Sequence, residues 1–233
     1  MVLRGRACRR NHSQMAVVAR RRPNLLLGED FPAGPIQERS LAKRARLKTA
    51  GLTLFGEKGY ENTSVSEIAV RAKLAVGSFY QHFRSKRQLL ITLMDELLEK
   101  LSQLRFQPTA ATYIRAGIRE LLSRAFAHDL RYLGAYRAWQ EAVLSDPELM
   151  NKQEQIHKWT TGRAINVFQL LQGLPGARQN VDIPGLASAM DSFFWSLLAR
   201  AGRLTKAELD QCIDSATHLI YHALFTDRPR KGE

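Results

Sequence analysis

The stretch AVGSFYQHFRSK, residues 75–86, sets a glycine, two serines and three aromatic rings between an alanine and a closing lysine. In helical register Phe79 and Phe83 stand four apart and share a face, with Val76 close by. Gly77, Ser78, Gln81 and Arg84 fall on the opposite face, and Tyr80 and His82 lie on the flanks. One face is suited to burial. The other is small, polar and basic, so it presents backbone and short side chains rather than apolar bulk.

The flanking sequence supplies the frame. Leu47, Ala50, Gly51, Leu54 and Phe55 recur at three and four, as on a half-buried helix, and Gly59 stops it. Ser64-Val65-Ser66-Glu67 reads as a capping box, in which the Ser64 hydroxyl caps a backbone N–H and Glu67 reaches back. A short helix follows through Ile68, Ala69 and Ala72, then a tight connection at Lys73-Leu74. Lys86 begins a longer helix whose stripe is Leu89, Leu90, Leu93, Leu97, Leu98 and Leu101. Three short helices, the last two joined by a tight turn, make a helix-turn-helix.

The run RLKTAGLTLFGEKGYENTSVSEIAVRAKLAVGSFYQHFRSKRQLL, residues 46–90, resembles the DNA-binding domain of the TetR family of transcriptional regulators. The marks are Leu54-Phe55, Gly59-Tyr60, Thr63, Ile68-Ala69, Gly77, Tyr80, Phe83, Lys86 and Leu89. The resemblance implies an all-α chain: a three-helix helix-turn-helix domain followed by a helical ligand-binding and dimerisation domain. It implies that Tyr80, Lys86 and Thr63 contact phosphates. Gly77 lets the backbone approach the duplex. Ser78 and Gln81 are placed to hydrogen-bond base edges, Val76 or Ala75 to touch a thymine methyl, and His82 to contact a phosphate. Two positions depart from the family pattern. Lys73 stands where glycine is usual, which calls for a left-handed backbone at a cost of roughly 1 kcal/mol. Ala75 stands where a Ser or Thr cap is common, costing about 1 kcal/mol.

Charge agrees with a polyanion partner. Residues 1–105 hold 20 Lys and Arg against 9 Asp and Glu, so most of the net charge of +13 lies in the first part; nucleic acid fits this better than a membrane surface. Arg39, Lys43 and Arg44 crowd the start of the first helix and read equally as a solvated face or as phosphate contacts. Residues 1–36 read as a basic, disordered arm, with Met15 as an alternative start. The helix-turn-helix domain spans 37–85, the sensing and dimerisation domain 86–227, and a tail 228–233. Two cysteines, Cys8 and Cys212, are too few for a disulfide framework, and no apolar run reaches the ~18 residues of a membrane span. The expected location is the bacterial cytosol, on the nucleoid.

Beyond residue 105 the pattern is five or so helices, punctuated by Pro108, Pro147, the 173–176 turn and Pro184. Aromatic and apolar candidates for an effector pocket are Phe126, Tyr132, Tyr136, Trp139, Trp159, Phe168 and Trp195, with His157 or Gln140 as polar handles; taken singly, each reads first as ordinary core. Met190, Phe194, Leu198, Ile213, Ala216, Ile220 and Leu224 are the candidate homodimer interface. His218 and His222 share a helix face but have no third ligand nearby, so neither a metal nor any other cofactor is expected. There is no Gly-x-Ser-x-Gly elbow, phosphate loop or His-Glu-x-x-His, which argues against an enzyme. The expected partners are a double-stranded palindromic operator, a small-molecule effector and a second copy of the chain. Release of a repressor by its ligand is the favoured reading, and ligand-independent constitutive or architectural DNA binding is the alternative.

Overall fold

The computed structural model describes residues 21–33, 38–106 and 113–226. Among these there are nine helices: α1 (Glu38–Lys58), α2 (Val65–Arg71), α3 (Val76–Tyr80), α4 (Lys86–Ser102), α5 (Ile114–Arg131), α6 (Leu133–Val143), α7 (Pro147–Gln172), α8 (Ile183–Ala201) and α9 (Lys206–Leu224). The only β-type pairing among the described residues is an isolated bridge between Ala177 and Phe225.

The helix boundaries follow local chemistry. Gly59, at φ +81°, ends α1 in the left-handed region. Ser64 and Glu67 form the reciprocal capping box that opens α2. The Lys58 ammonium and the Ser64 cap together hold the Glu67 carboxyl down at about 2. Lys73, at φ +53°, is the sole non-glycine residue with positive φ among the described residues. Its N–H donates to Val70 O at 2.9 Å and that of Leu74 to Ala69 O at 2.9 Å. This is a Schellman closure with lysine in the usual glycine position. Arg46 of α1 donates to Ala72 O and Lys73 O and so pins the turn from outside.

Two apolar clusters carry the packing. The first joins Leu47, Leu54 and Phe55 of α1, Ile68, Phe79 and Phe83 to α4 and to Trp139 of α6. The second joins α5 and the C-terminal half of α7 to α8 and α9. The three-helix head meets the body chiefly along α1 and α6. There a Cβ at Gly134 would lie 2.1 Å from Leu52 O and 3.1 Å from Gly56 Cα, so the two backbones touch. Glu141 accepts from the Tyr60 N–H at 2.6 Å, and Arg137 donates to Gly56 O at 3.2 Å.

The reading of residues 1–36 as a disordered arm does not hold for 21–33, which form a strap across α4 and α7; residues 1–20 and 34–36 lie outside the described residues. Leu25 is fully buried. Arg22 grips Asp95 through both terminal nitrogens, at 2.7 and 3.1 Å, and Glu99 through Nε at 2.6 Å. Asp95 also accepts from the Leu25 N–H at 3.0 Å, and the buried Lys152 donates to Leu25 O at 2.7 Å. Glu29 pairs with Arg87, and Asp30 with Arg84. Internal polar and apolar partners here outweigh the basic composition from which an arm was inferred.

Leu25→Ala is expected to cost about 2–5 kcal/mol of unfolding free energy. Gly134→Ala is expected to cost about 1–3 kcal/mol through overpacking at the α1–α6 contact. Urea titrations of the two variants check both.

Candidate nucleic-acid interface

α3 is laid onto the head by its rings. Phe79 and Phe83 are fully buried, and their centroids lie 5.7 Å apart. The opposite side is open: Ala75, Gly77 and Gln81 are exposed, Val76 is 38% and Tyr80 51% exposed, and Ser78 is half-buried. Ala75 occupies the N-cap with no side-chain hydrogen bond. A Cβ built on Gly77 meets nothing within 4 Å, so nothing within the chain requires glycine there. Lys73 is exposed at the preceding turn, and Arg39 and Lys43 are exposed on the first turns of α1. None of these three cations has an ion pair among the described residues, so this face keeps uncompensated positive charge. Next to α3, an open cleft is lined by residues 61–65, which include the acidic Glu61, by Tyr80 and by residues 84–86.

Four predicted contacts sit differently from expectation. Thr63 is 1% exposed, and its hydroxyl donates inward to Gly59 O at 2.7 Å; Ser64 is the residue that caps α2. The Thr63 hydroxyl hydrogen is therefore committed within the chain. His82 is 7% exposed, not a flanking donor, and its Nε2 has no hydrogen-bond partner among the described residues. Arg44 spreads its guanidinium over Phe83, at 5.1 Å, and Phe31, at 5.4 Å, and so caps the core as much as it faces solvent. Lys86 donates to Tyr60 O at 2.8 Å and Glu61 O at 3.2 Å and lies over the Tyr60 ring. Its ammonium closes the turn after α1 and leaves one N–H for the cleft.

The body contains a cavity of about 210 Å³ among α4, α5, α7 and α8, lined mainly by leucine, methionine and aromatic side chains. Of the predicted pocket residues it includes Tyr136, Trp159, Phe168 and Trp195. Phe126 packs behind the wall on Phe194, with centroids 5.0 Å apart. Trp139 is buried in the head-side cluster and donates to Gln153 at 2.5 Å, while Tyr132 packs against that same cluster. Gln140 is exposed. His157 reaches the wall at one remove, its Nδ1 at 3.0 Å from Asp191 Oδ2 and its ring against Trp195. Arg163, which sequence reasoning missed, does line the cavity. Its signal was a charge between Trp159 and Val167, at four-residue spacing on an otherwise apolar stripe.

The seven residues assigned to a dimer interface face inward. Met190, Leu198, Ile213, Ala216, Ile220 and Leu224 are buried within the second cluster, and Phe194 lines the cavity. The apolar stripes of α8 and α9 are largely taken up by the chain's own core, with Leu219 left 52% exposed. No group of three or more His, Cys, Asp or Glu side chains able to hold a metal occurs among the described residues. No described helix is long and apolar enough to cross a membrane.

An exposed five-residue helix on an aromatic base, behind a pinned tight turn, is the reading element of a helix-turn-helix DNA-binding protein. Residues 47–93 match the family model of bacterial regulatory proteins, tetR family. The HTH-type transcriptional regulator TcmR of Streptomyces glaucescens is 26% identical, across 86% of this chain and 93% of that one. YuxN of Bacillus subtilis, also an HTH-type transcriptional regulator, is 45% identical over 49 residues, and the chain spans only 17% of its length. The solved structure of a SmeT–triclosan complex shares the fold, with a TM-score of 0.61 at 20% identity, covering 80% of this chain and 93% of that one. Residues 47–93 thus form a tetR-family DNA-binding domain, and most of the chain is similar to an HTH-type transcriptional regulator.

Burial lowers the His82 pKa from its ordinary 6.5, and the nearby Arg44 and Lys43 lower it further. The unfolded chain therefore binds this proton more readily, and stability falls as pH drops from about 6.5 toward the lower folded value. His82→Phe is expected to flatten that part of the profile. Urea midpoints at pH 7.5 and 5.5 measure it.

Proposed function

We propose that the protein is a homodimeric, cytoplasmic repressor that reads a palindromic operator through α3 and is released when a small molecule enters the body cavity. The observation that carries the reading is the division of α3, with Phe79 and Phe83 sunk in the core and Val76, Gly77, Tyr80 and Gln81 outward. A five-residue helix spans few base pairs, so two copies reading half-sites about one helical turn apart supply the specificity that one lacks. The triclosan held by SmeT supports a ligand-accepting body in this fold.

The route from cavity to head runs through shared elements. Tyr136 of α6 lines the cavity, while Gly134, Arg137 and Glu141 of the same helix hold α1 and the turn after it. Leu97, Leu98 and Leu101 of α4 line it as well, and Lys86 at the start of α4 borders the cleft beside α3. A ligand that favours one placement of α4 and α6 shifts the population of head orientations.

Selection of bound molecules from random duplex DNA at moderate salt tests the proposal. Enrichment of a palindrome with half-sites about one turn apart is the expected result, and tight binding without enrichment overturns sequence-specific reading. Against the selected site, Gln81→Ala is expected to lose about 1–3 kcal/mol of discrimination at one position of each half-site. Gly77→Ala is expected to leave folding intact, since its Cβ meets open space, and to weaken binding to every sequence. Gel shifts on matched and scrambled duplexes separate these outcomes.

A further inference from the structure

The cavity wall contains one guanidinium without an acidic partner. Arg163 donates to Ser102 O at 3.3 Å and Leu104 O at 3.0 Å, the carbonyls at the C-terminal end of α4, and its guanidinium lies 5.0 Å from the Trp159 ring centroid. Arg105 donates to the same two carbonyls. Two like charges thus converge on one pair of carbonyls, Arg163 in the wall of an apolar chamber and Arg105 exposed beside it, and neither has an ion pair among the described residues. A guanidinium carries five N–H donors, so these contacts leave three on each arginine. Burial, with Arg105 adding to it, disfavours the charge on Arg163. The acidic group in the wall, Asp191, is engaged by His157, and the Tyr136 hydroxyl donates to Trp195 O.

We infer that the cavity accepts an amphipathic anion, its apolar body among Leu97, Leu98, Leu101, Phe168 and Phe194 and its anionic head on Arg163 and Arg105. An apolar cavity of 150 Å³ holds benzene. By proportion, the 210 Å³ here suits a body of roughly eight carbon atoms. A carboxylate head supplies acceptors matched to the guanidinium fork and neutralises the paired charges. The inference rests on the reading of the cavity as the effector site and adds the chemical class of the effector.

Trp159 and Trp195 line the chamber, so intrinsic fluorescence reports its occupancy. The full-length protein is titrated with octanoate, 1-octanol and octylammonium at equal ionic strength, with competition against 1-octanol confirming a shared site. Octanoate is expected to bind about ten- to a hundredfold tighter than 1-octanol, the range of a charge-assisted hydrogen bond, and octylammonium weakest. Arg163→Gln is expected to abolish the preference for the anion while retaining binding of 1-octanol, and Arg163→Lys to keep part of it. Because Arg163 and Arg105 both bond the carbonyls of Ser102 and Leu104, far-UV circular dichroism checks that each variant is folded, and Arg105→Gln is expected to reduce the preference severalfold. Equal binding of octanoate and 1-octanol overturns the anion inference and leaves the effector cavity standing. Binding of none of the three overturns both.

Discussion

The contact between Gly134 and the α1 backbone at Leu52 and Gly56 governs the arrangement of the molecule. Packed helices usually stand 8–10 Å apart, with side chains between them. Here one helix rests directly on the backbone of the other, so small displacements have no soft layer to absorb them. Arg137 and Glu141 then fix rotation, one holding a carbonyl of α1 and the other the N–H groups that follow its end. Because Tyr136 of the same α6 faces the cavity and donates to Trp195 O, the helix has the chamber on one side and the head on the other.

The head was legible because its signals are local. The Ser64–Glu67 box, the Gly59 stop, the Phe79/Phe83 spacing and the left-handed Lys73 all depend on a few neighbouring residues, and the structure contains each of them. The body was legible only as helices. An apolar stripe states that a face is buried but not against what, so Ile213, Ile220 and Leu224 suit a partner chain and the chain's own core equally well. The strap was hidden for the same reason: Leu25 and Arg22 find partners on α4 and α7, more than seventy residues away. Thr63 and His82 were misplaced because they lie just outside the ends of α2 and α3, where helical register no longer specifies which way a side chain turns.

Net charge overstates the part of the head open to a phosphate. Lys48, Lys58, Arg71, Arg84 and Arg87 each pair with a carboxylate, and Arg46 is turned onto the α2–α3 turn. Exposed pairs of this kind contribute little to stability, and phosphates can compete for them. Lys73, Arg39 and Lys43 are exposed without such partners, so the field over α3 rests on a handful of cations.

The strap has a mechanical consequence. α4 is 17 residues long, a rod of roughly 26 Å. Arg22 and the Leu25 N–H hold it at Asp95, roughly 13 Å from its start at Lys86 and roughly 10 Å from its end at Ser102. The same strap also holds the rod at Glu99 and, through Glu29 and Asp30, at Arg87 and Gln88. A rod braced near both ends and between them resists tilting and bending, so residues 21–33 and α4 form one stiff piece.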